Sequence, residues 1–313
     1  MKNLIKKIFN KYAIYIVLLA LVIFFSITSD VFLSFDNIMN VLRQVSVVGI
    51  VAVGMTFVIL TGGIDLSVGA VIAVTGVVTA QLMVNGIHPV FAILVAIGVA
   101  IIIGIVNAFF SHEFKLNPMI VTLGVMTILK GVSYIVTGGL PVYGFSPAFK
   151  VIGQGYLGPV PIPIIIMLAC FAVGYFILKF TSFGTAIYGL GGNEEAVRLA
   201  GINIRKTKYQ VFVFCSILSA IAGIVLLSRV NNAQPNAGLG YEMDVITGVV
   251  LGGVSMSGGE GKISGVFIGI LVMAVLANGM LLMGISEYFQ WVVKGCVMLL
   301  AISYDKIIKK KGS

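Results

Sequence analysis

The stretch GGEGKIS at 258–264 is the part of the chain that comes closest to a nucleotide-binding loop. A phosphate-binding loop has a glycine five positions before its Gly-Lys pair and a serine or threonine directly after it. Those two positions hold Met256 and Ile263, so the pattern fails. The two histidines, His88 and His112, have no metal-ligand or catalytic partners at workable spacing. We therefore expect no enzyme activity, no bound metal and no cofactor in this chain.

A single lysine, Lys294, lies at the centre of an apolar stretch. A charge inside a bilayer costs at least about 2.5 kcal/mol, so this side chain must face protein or water. Glu242 and Asp244 are the acids we consider as its partner, and a structural ion pair is favoured over a transport role. No apolar stretch carries an acid near its centre, as proton- or sodium-coupled carriers usually do. Any energy for uphill transport is expected to come from elsewhere.

The longest charged stretch, 181–209, predicts a short amphipathic helix between glycines. Asn193 is a good N-cap residue, and Glu194 and Glu195 suit the positive end of a helix dipole. Gly201 stands where a helix stop is expected. Such a helix beneath a membrane offers a docking surface for a partner, although a plain solvated loop helix has the same pattern.

Asp65 and Ser67 follow a Gly62–Gly63 turn and precede an apolar stretch. Either side chain can cap the free backbone N–H groups at the start of a helix. A cap is our leading interpretation. A gate on the inner side, or a second contact with a partner, is the alternative.

The elements that hold these residues follow from composition. Of the 313 residues, 59% are hydrophobic and 10% charged, and the mean hydropathy is +1.12. Soluble domains carry roughly 25% charged residues, so this chain lacks the polar surface for one. Continuous apolar runs exclude strand barrels, which alternate, and disordered, disulfide-rich and nucleic-acid-binding classes are excluded as well. The chain is predicted to be a multi-pass cell-membrane protein. Its net charge of +9 indicates basic cytoplasmic loops next to anionic lipid.

Apolar runs of about 17–25 residues mark helices that cross the bilayer. They predict an all-α transmembrane helix bundle, one domain over 1–313, with about ten spans and a retained first helix. The second and third spans, and the eighth and ninth, are separated only by short Gly-rich breaks and could be miscounted. The predicted spans are 13–29, 44–61, 66–84, 89–111, 119–136, 160–178, 210–228, 242–256, 264–283 and 286–303.

The basic residues give the orientation. With both termini cytoplasmic, fifteen of the twenty Lys and Arg residues fall in cytoplasmic segments. Three fall outside (Arg43, Lys150 and Arg229), and Lys130 and Lys294 lie within spans. This asymmetry agrees with the positive-inside rule, and the opposite orientation would invert it.

Small residues recur at four-residue intervals in the fourth span. They are Ala92, Ala96, Ala100, Gly104 and Ala108. Small side chains let membrane helices approach closely. We predict that this stripe packs against another helix, in preference to lining a substrate path.

Four blocks of sequence together resemble one family. EAVRLAG at 195–201 resembles the EAA-x-x-x-G loop of permease subunits in ATP-binding-cassette importers, with Val197 in place of the second alanine. The blocks at 54–70, 233–265 and 289–295 resemble the ribose-type, or more broadly monosaccharide, branch of those permeases. They appear in order with plausible spacing, and the resemblance covers nearly the whole chain after about residue 30.

The resemblance implies a division of labour among several proteins. A separate ATPase subunit beneath the membrane uses ATP, an extracytoplasmic binding protein delivers the sugar, and a second permease copy or paralogue completes a dimer. The loop helix is then the coupling helix, seated in the ATPase. That role falls on Asn193, Glu194, Glu195, Ala196, Arg198, Leu199 and Gly201.

A sugar path needs uncharged hydrogen-bonding groups within the spans. Asn40, Gln44, Asn107, Thr122, Asn278 and Gln290 have this chemistry at suitable depth, although each can equally bond a neighbouring helix. The sequence does not distinguish ribose from another pentose, a hexose or a signalling furanose. The alternative function is a self-contained secondary carrier or facilitator for a small polar solute.

Overall fold

The computed structural model describes residues 2–310, and side chains from 13 to 303. It is an apolar helical bundle, which confirms the predicted helical class. Eight of the fifteen predicted cytoplasmic basic residues lie outside the described side chains: Lys2, Lys6, Lys7, Lys11, Lys306, Lys309, Lys310 and Lys311. The elements are α1 Lys2–Thr28, α2 Phe35–Leu60, α3 Val68–Val84, α4 Pro89–His112, α5 Pro118–Thr137, α6 Pro147–Gln154, β1 Tyr156–Leu157, β2 Val160–Pro161, α7 Ile162–Phe180, α8 Ser182–Gly192, α9 Glu194–Leu199, α10 Ile204–Val230, α11 Tyr241–Leu251, α12 Ile263–Leu282 and α13 Glu287–Lys310.

Six helices in the described part of the chain are long and apolar enough to cross a membrane: α2, α4, α5, α7, α10 and α12. Two shorter apolar helices accompany them, Ala13–Thr28 within α1, and α3. The centre of the bundle is formed by α2 and α10, whose inner residues are buried on nearly every side. Continuous burial explains why the part of α2 from 45 to 60 shows no polar face.

The small-residue stripe of α4 packs against α10, as predicted. All five of its members are buried. A methyl group built on Gly104 would lie 2.6 Å from the Cα atom of Val213 in α10. The two backbones can approach so closely only because the side chain is absent.

One end of the bundle, here called the α9 end, gathers α8, α9 and the loop 252–262. The Gly259 N–H donates to the Leu60 carbonyl at the end of α2, at 2.9 Å. Arg205 in the first turn of α10 forms an ion pair with Glu113 just after α4, at 2.7 Å. The first contact joins the end of α2 to the loop 252–262, and the second joins the end of α4 to the start of α10.

The opposite end, the α6 end, is covered by α6 and the short β1–β2 hairpin, two elements that the sequence does not predict. The Gly153 N–H of α6 donates to Ser228 Oγ near the end of α10, at 2.7 Å. An isolated β-bridge joins Val142 to Ala233. The connections at this end are therefore folded onto the bundle.

The predicted eighth span, 242–256, is helical only over its first part. Helix α11 has 11 residues, which at 1.5 Å per residue is about 16 Å, or roughly half the hydrocarbon thickness. Gly252 and Gly253 end it, and Gly253 has a φ of +83° that an α-helix cannot continue. Before it, 231–240 folds into the bundle, because the Gly238 carbonyl packs directly on Gly69 at the start of α3.

Candidate functional site

The short helix α9 is built as its sequence predicts. The Ala196 N–H donates to Asn193 Oδ1 at 3.0 Å, which caps the first turn. Gly201 has a φ of +76°, in the left-handed region that favours glycine, and it terminates the helix. The flanking residues therefore fix both ends of a helix of only six residues.

Helix α9 presents most of its surface to solvent. Val197 alone among its residues is buried, and it packs on Gly189 of α8. Leu199 is 78% exposed. Glu195 and Arg198 form an exposed ion pair beside it, and the hydrogen bond from Arg198 to Glu195 raises the pKa of the Arg198 guanidinium. The surface is therefore an apolar side chain flanked by two fixed charges.

Three contacts tie the α8–α9 segment to the bundle. Lys208 Nζ of α10 lies 2.9 Å from Glu194 Oε2. The Tyr188 hydroxyl donates to the Gly261 carbonyl at 3.0 Å. Gly191 contacts both the Leu60 carbonyl and the Gly259 nitrogen so closely that a side chain there would overlap them. A movement of α9 is thus linked to the loop 252–262 and the end of α2.

Asp65 and Ser67 form a buried polar cluster with one candidate path residue. Asp65 Oδ1 accepts from the Ser67 N–H at 2.8 Å and from the Ser67 hydroxyl at 2.5 Å. The Asn107 amide of α4 donates to Ser67 Oγ at 3.0 Å and to Asp65 Oδ2 at 3.4 Å. Asp65 is 1% exposed, and the other two are completely buried. These side chains hold the turn before α3 against α4. Ser67 is the N-cap residue of α3, but its side chain accepts no hydrogen bond from the first turn, so the predicted cap by Ser67 is wrong.

Thr122 is engaged in the same turn. Its hydroxyl accepts from the Leu66 N–H at 3.0 Å and donates to the Ile64 carbonyl at 3.3 Å. Asn107 and Thr122 therefore lie together at the turn, away from the other four candidate path residues.

Three other candidate path residues, Gln44, Asn278 and Gln290, line one cleft of about 480 Å³ between α2, α12 and α13. Asn278 exchanges hydrogen bonds of 3.0 Å with Asn37. Gln290 donates to the Ile285 carbonyl at 3.0 Å. Gln44 makes no hydrogen bond within the described side chains and is exposed to the cleft.

Asn40 is exposed on α2 outside the lining of this cleft. Asp244 lines the cleft as well, and its carboxylate lies 2.8 Å from Lys294 Nζ. The predicted partnership of Lys294 with an acid is therefore confirmed, and of the two acids considered it is Asp244. Both side chains are about three-quarters buried.

Residues 37–302 match the model of a family described as branched-chain amino acid transport system / permease component. The chain belongs to this permease family. It is 43% identical to the ribose import permease protein RbsC of Bacillus subtilis, over 92% of this chain and 90% of that protein. It is 42% identical to RbsC of Escherichia coli K12, over 93% of this chain and 92% of that protein. It is 39% identical to the L-arabinose transport system permease protein AraH of the same organism, over 97% of this chain and 93% of that protein. No solved structure matches the chain.

Three residues that position these sites are not among the sequence-based candidates. Glu113 holds the start of α10, Asn37 engages Asn278, and Gly191 lets α8 touch the end of α2. Asn37 carries a signal, because it is an amide near the start of an apolar helix. Glu113 and Gly191 carry no such sequence signal, since their partners are distant in sequence.

Proposed function

We propose that this permease is the membrane-spanning subunit of an ATP-binding-cassette importer for a ribose-like sugar. The observation that carries the proposal is the similarity to ribose import permeases at 42–44% identity over more than nine-tenths of this chain. The permease would pass on sugar delivered by an extracytoplasmic binding protein, and a separate ATPase subunit would supply the energy.

The coupling surface in this proposal is α9 with its flanking residues. Asn193, Glu194, Glu195, Ala196, Arg198, Leu199 and Gly201 would seat in the ATPase subunit, within the segment 181–209. The exposed Leu199 and the ion pair beside it support the assignment, because an apolar side chain in water gains from a partner's cover. Closure of the ATPase on ATP would move α9, and the contacts at Gly191 would carry the movement to α2.

We propose ten crossings with both termini cytoplasmic, in one domain over 1–313. The α9 end would face the cytoplasm, where Arg198, Arg205, Lys206 and Lys208 lie. The short α11 and the segment 231–240 would together form one crossing, since the segment folds back from the end of α10 before α11 continues.

Single cysteines test this orientation, in a chain whose own Cys170, Cys215 and Cys296 are replaced by alanine. A cysteine at Glu195 is expected to react with a membrane-impermeant reagent only from the cytoplasmic face. A cysteine at Leu140, 70% exposed at the α6 end, is expected to react only from outside. The reverse pattern would overturn the orientation.

The sugar path is proposed to use the cleft between α2, α12 and α13. Gln44, Asn278 and Gln290 line it with neutral hydrogen-bonding groups. A second permease copy or paralogue would close its open side, because polar groups facing hydrocarbon are costly. Asp65, Ser67, Asn107 and Thr122 are proposed to brace the turn before α3. Asp65, Ser67 and Asn107 bond one another, and Thr122 bonds the backbone of the turn at Leu66.

The test is transport in liposomes that hold the permease with its ATPase and binding-protein partners. Leu199→Asp and Glu195→Lys are expected to abolish sugar uptake and stimulated ATP hydrolysis while the permease remains inserted. Leu140→Asp changes a leucine of similar exposure, 70%, at the other end, and as the control it should transport normally. Normal uptake by Leu199→Asp would refute the coupling assignment. Sugar flux by the permease alone would identify it as a carrier or facilitator instead.

A further inference from the structure

A basic chamber opens at the α9 end between α7, α8 and α12. Its volume is about 470 Å³. Its polar lining includes Lys179 at the end of α7, Lys262 just before α12, and the phenols of Tyr175 and Tyr188. The proposed coupling and path residues do not include any of these four.

The two lysines have no acidic partner among the described side chains. The four ion pairs found there leave out Lys179, Lys262 and the nearby Glu260. Lys179 Nζ donates to the Tyr175 hydroxyl at 2.6 Å and lies 5.0 Å from the centre of that ring. The chamber therefore holds two positive charges that no protein carboxylate neutralises, and it suits an anion.

An apolar groove continues from the chamber along α7 and α12. It is a shallow, open groove with a volume of about 320 Å³, lined by Leu168, Phe171, Ala172 and Phe267. Tyr175, Ile263 and Ser264 line both cavities, which shows that they adjoin. From Lys179 to Leu168 the helix rises about 16 Å, close to the thickness of one leaflet's hydrocarbon at about 15 Å.

We propose that an anionic phospholipid binds here, with its phosphate between Lys179 and Lys262 and one acyl chain in the groove of α7 and α12. Basic pockets between membrane helices bind anionic headgroups through this chemistry. A soluble anion would satisfy the lysines but would leave the adjoining groove unexplained. A lipid accounts for both the charge and the groove.

The bound lipid would touch the segment that leads to α9. Tyr188 belongs to α8 and donates to the Gly261 carbonyl, next to Lys262. A headgroup in the chamber would thus hold α8 and the loop 252–262 in one arrangement. Anionic lipid would then favour one position of α9, whichever sugar the permease carries.

The experiment measures lipid retained on the purified full-length permease by native mass spectrometry. Nanodiscs hold equal amounts of dioleoylphosphatidylglycerol and dioleoylphosphatidylcholine. Wild type is expected to retain the glycerol lipid preferentially. Lys179→Gln/Lys262→Gln is expected to lose this preference by about thirtyfold, since each lysine near a headgroup contributes to anionic lipid binding. Lys115→Gln/Lys206→Gln removes the same charge at the same end and should behave as wild type.

Two further arms separate a lipid from a soluble anion. Ala172→Trp fills the exposed groove without touching either lysine and should also reduce retention. Excess inorganic phosphate should not displace the lipid. Equal retention by wild type and Lys179→Gln/Lys262→Gln would overturn the proposal, as would displacement by phosphate together with an unaffected Ala172→Trp. Thermal melting of each variant verifies folding, and the readout does not require transport.

Discussion

The backbone N–H of Gly259 donates a hydrogen bond to the carbonyl of Leu60 at 2.9 Å. This bond joins the loop 252–262 to the last residue of α2, and Gly191 of α8 packs on both partners. Three chain segments thus meet through backbone atoms at the α9 end. Because no flexible side chain lies between them, a displacement of α8 must shift α2 or break the contact.

Gly191→Ala is expected to uncouple transport. Its new methyl group would overlap the Leu60 carbonyl and the Gly259 nitrogen, so α8 would have to move away from α2. In liposomes with both partners we expect sugar uptake to fall at least about tenfold, the equivalent of roughly 1.4 kcal/mol in coupling free energy.

The neighbouring Gly192→Ala is the matched control, because nothing lies within 4 Å of its added methyl group. It should transport like wild type, and both variants should insert equally. If Gly191→Ala and Gly192→Ala transport alike, the three-way contact does not transmit the movement.

A second pair of glycines tests helix packing in α4. Gly104→Ala places a methyl group 2.6 Å from the Cα atom of Val213, so α4 and α10 must separate. Such overpacking typically costs about 1–3 kcal/mol. We expect a lower thermal melting temperature in detergent.

Gly98→Ala lies in the same helix with nothing within 4 Å of the added group. Its free energy of unfolding should remain within about 1 kcal/mol of the wild-type value, since alanine has a better helix propensity than glycine. An equal fall in melting temperature for both variants would show that the α4–α10 contact is looser than described.

The ion pair between Lys294 and Asp244 predicts a rescue. Lys294→Met leaves a largely buried carboxylate without its partner, which destabilises the fold. For a fully buried pair the free energy of unfolding would fall by about 3–5 kcal/mol. The partial exposure of this pair reduces the expected loss to roughly 1–3 kcal/mol. Lys294→Met/Asp244→Asn removes both charges and should regain most of the lost melting temperature. If the double variant is no more stable than Lys294→Met, the ion pair has no structural role.

Local signals made the proposed coupling helix and the α4 stripe predictable from sequence. Asn193 and Gly201 act within a few residues of where they stand, so the chain itself specifies where α9 begins and ends. Ala92 and Gly104 belong to a periodic pattern that one helix face must bury. Both kinds of signal depend on spacing along a single element.

The residues that sequence reasoning could not place depend on contacts between distant segments. Asn107 and Thr122 have the chemistry and depth expected of path residues. Their partners Ser67 and Leu66 lie 40 and 56 residues away in the sequence, so the sequence does not reveal that both side chains are already bonded. The shortness of α11 is similarly hidden, because Val254 and Met256 continue the apolar run although the positive φ of Gly253 ends the helix. Hydropathy measures polarity, and it does not measure where a helix ends.

Of the three candidate path residues that line the cleft, Gln44 alone makes no hydrogen bond within the described side chains, which makes it the sharpest test of the proposed path. Gln44→Leu keeps the size of the side chain but removes its hydrogen-bonding groups. A neutral hydrogen bond contributes about 0.5–1.5 kcal/mol, so we expect the KM for sugar uptake to rise roughly two- to tenfold in the reconstituted system. ATP hydrolysis stimulated by the binding protein should change little, because α9 is untouched. Asn40→Leu, one turn earlier on α2 and outside the cleft, is the control. A KM that rises equally in both variants would move the sugar path away from this cleft.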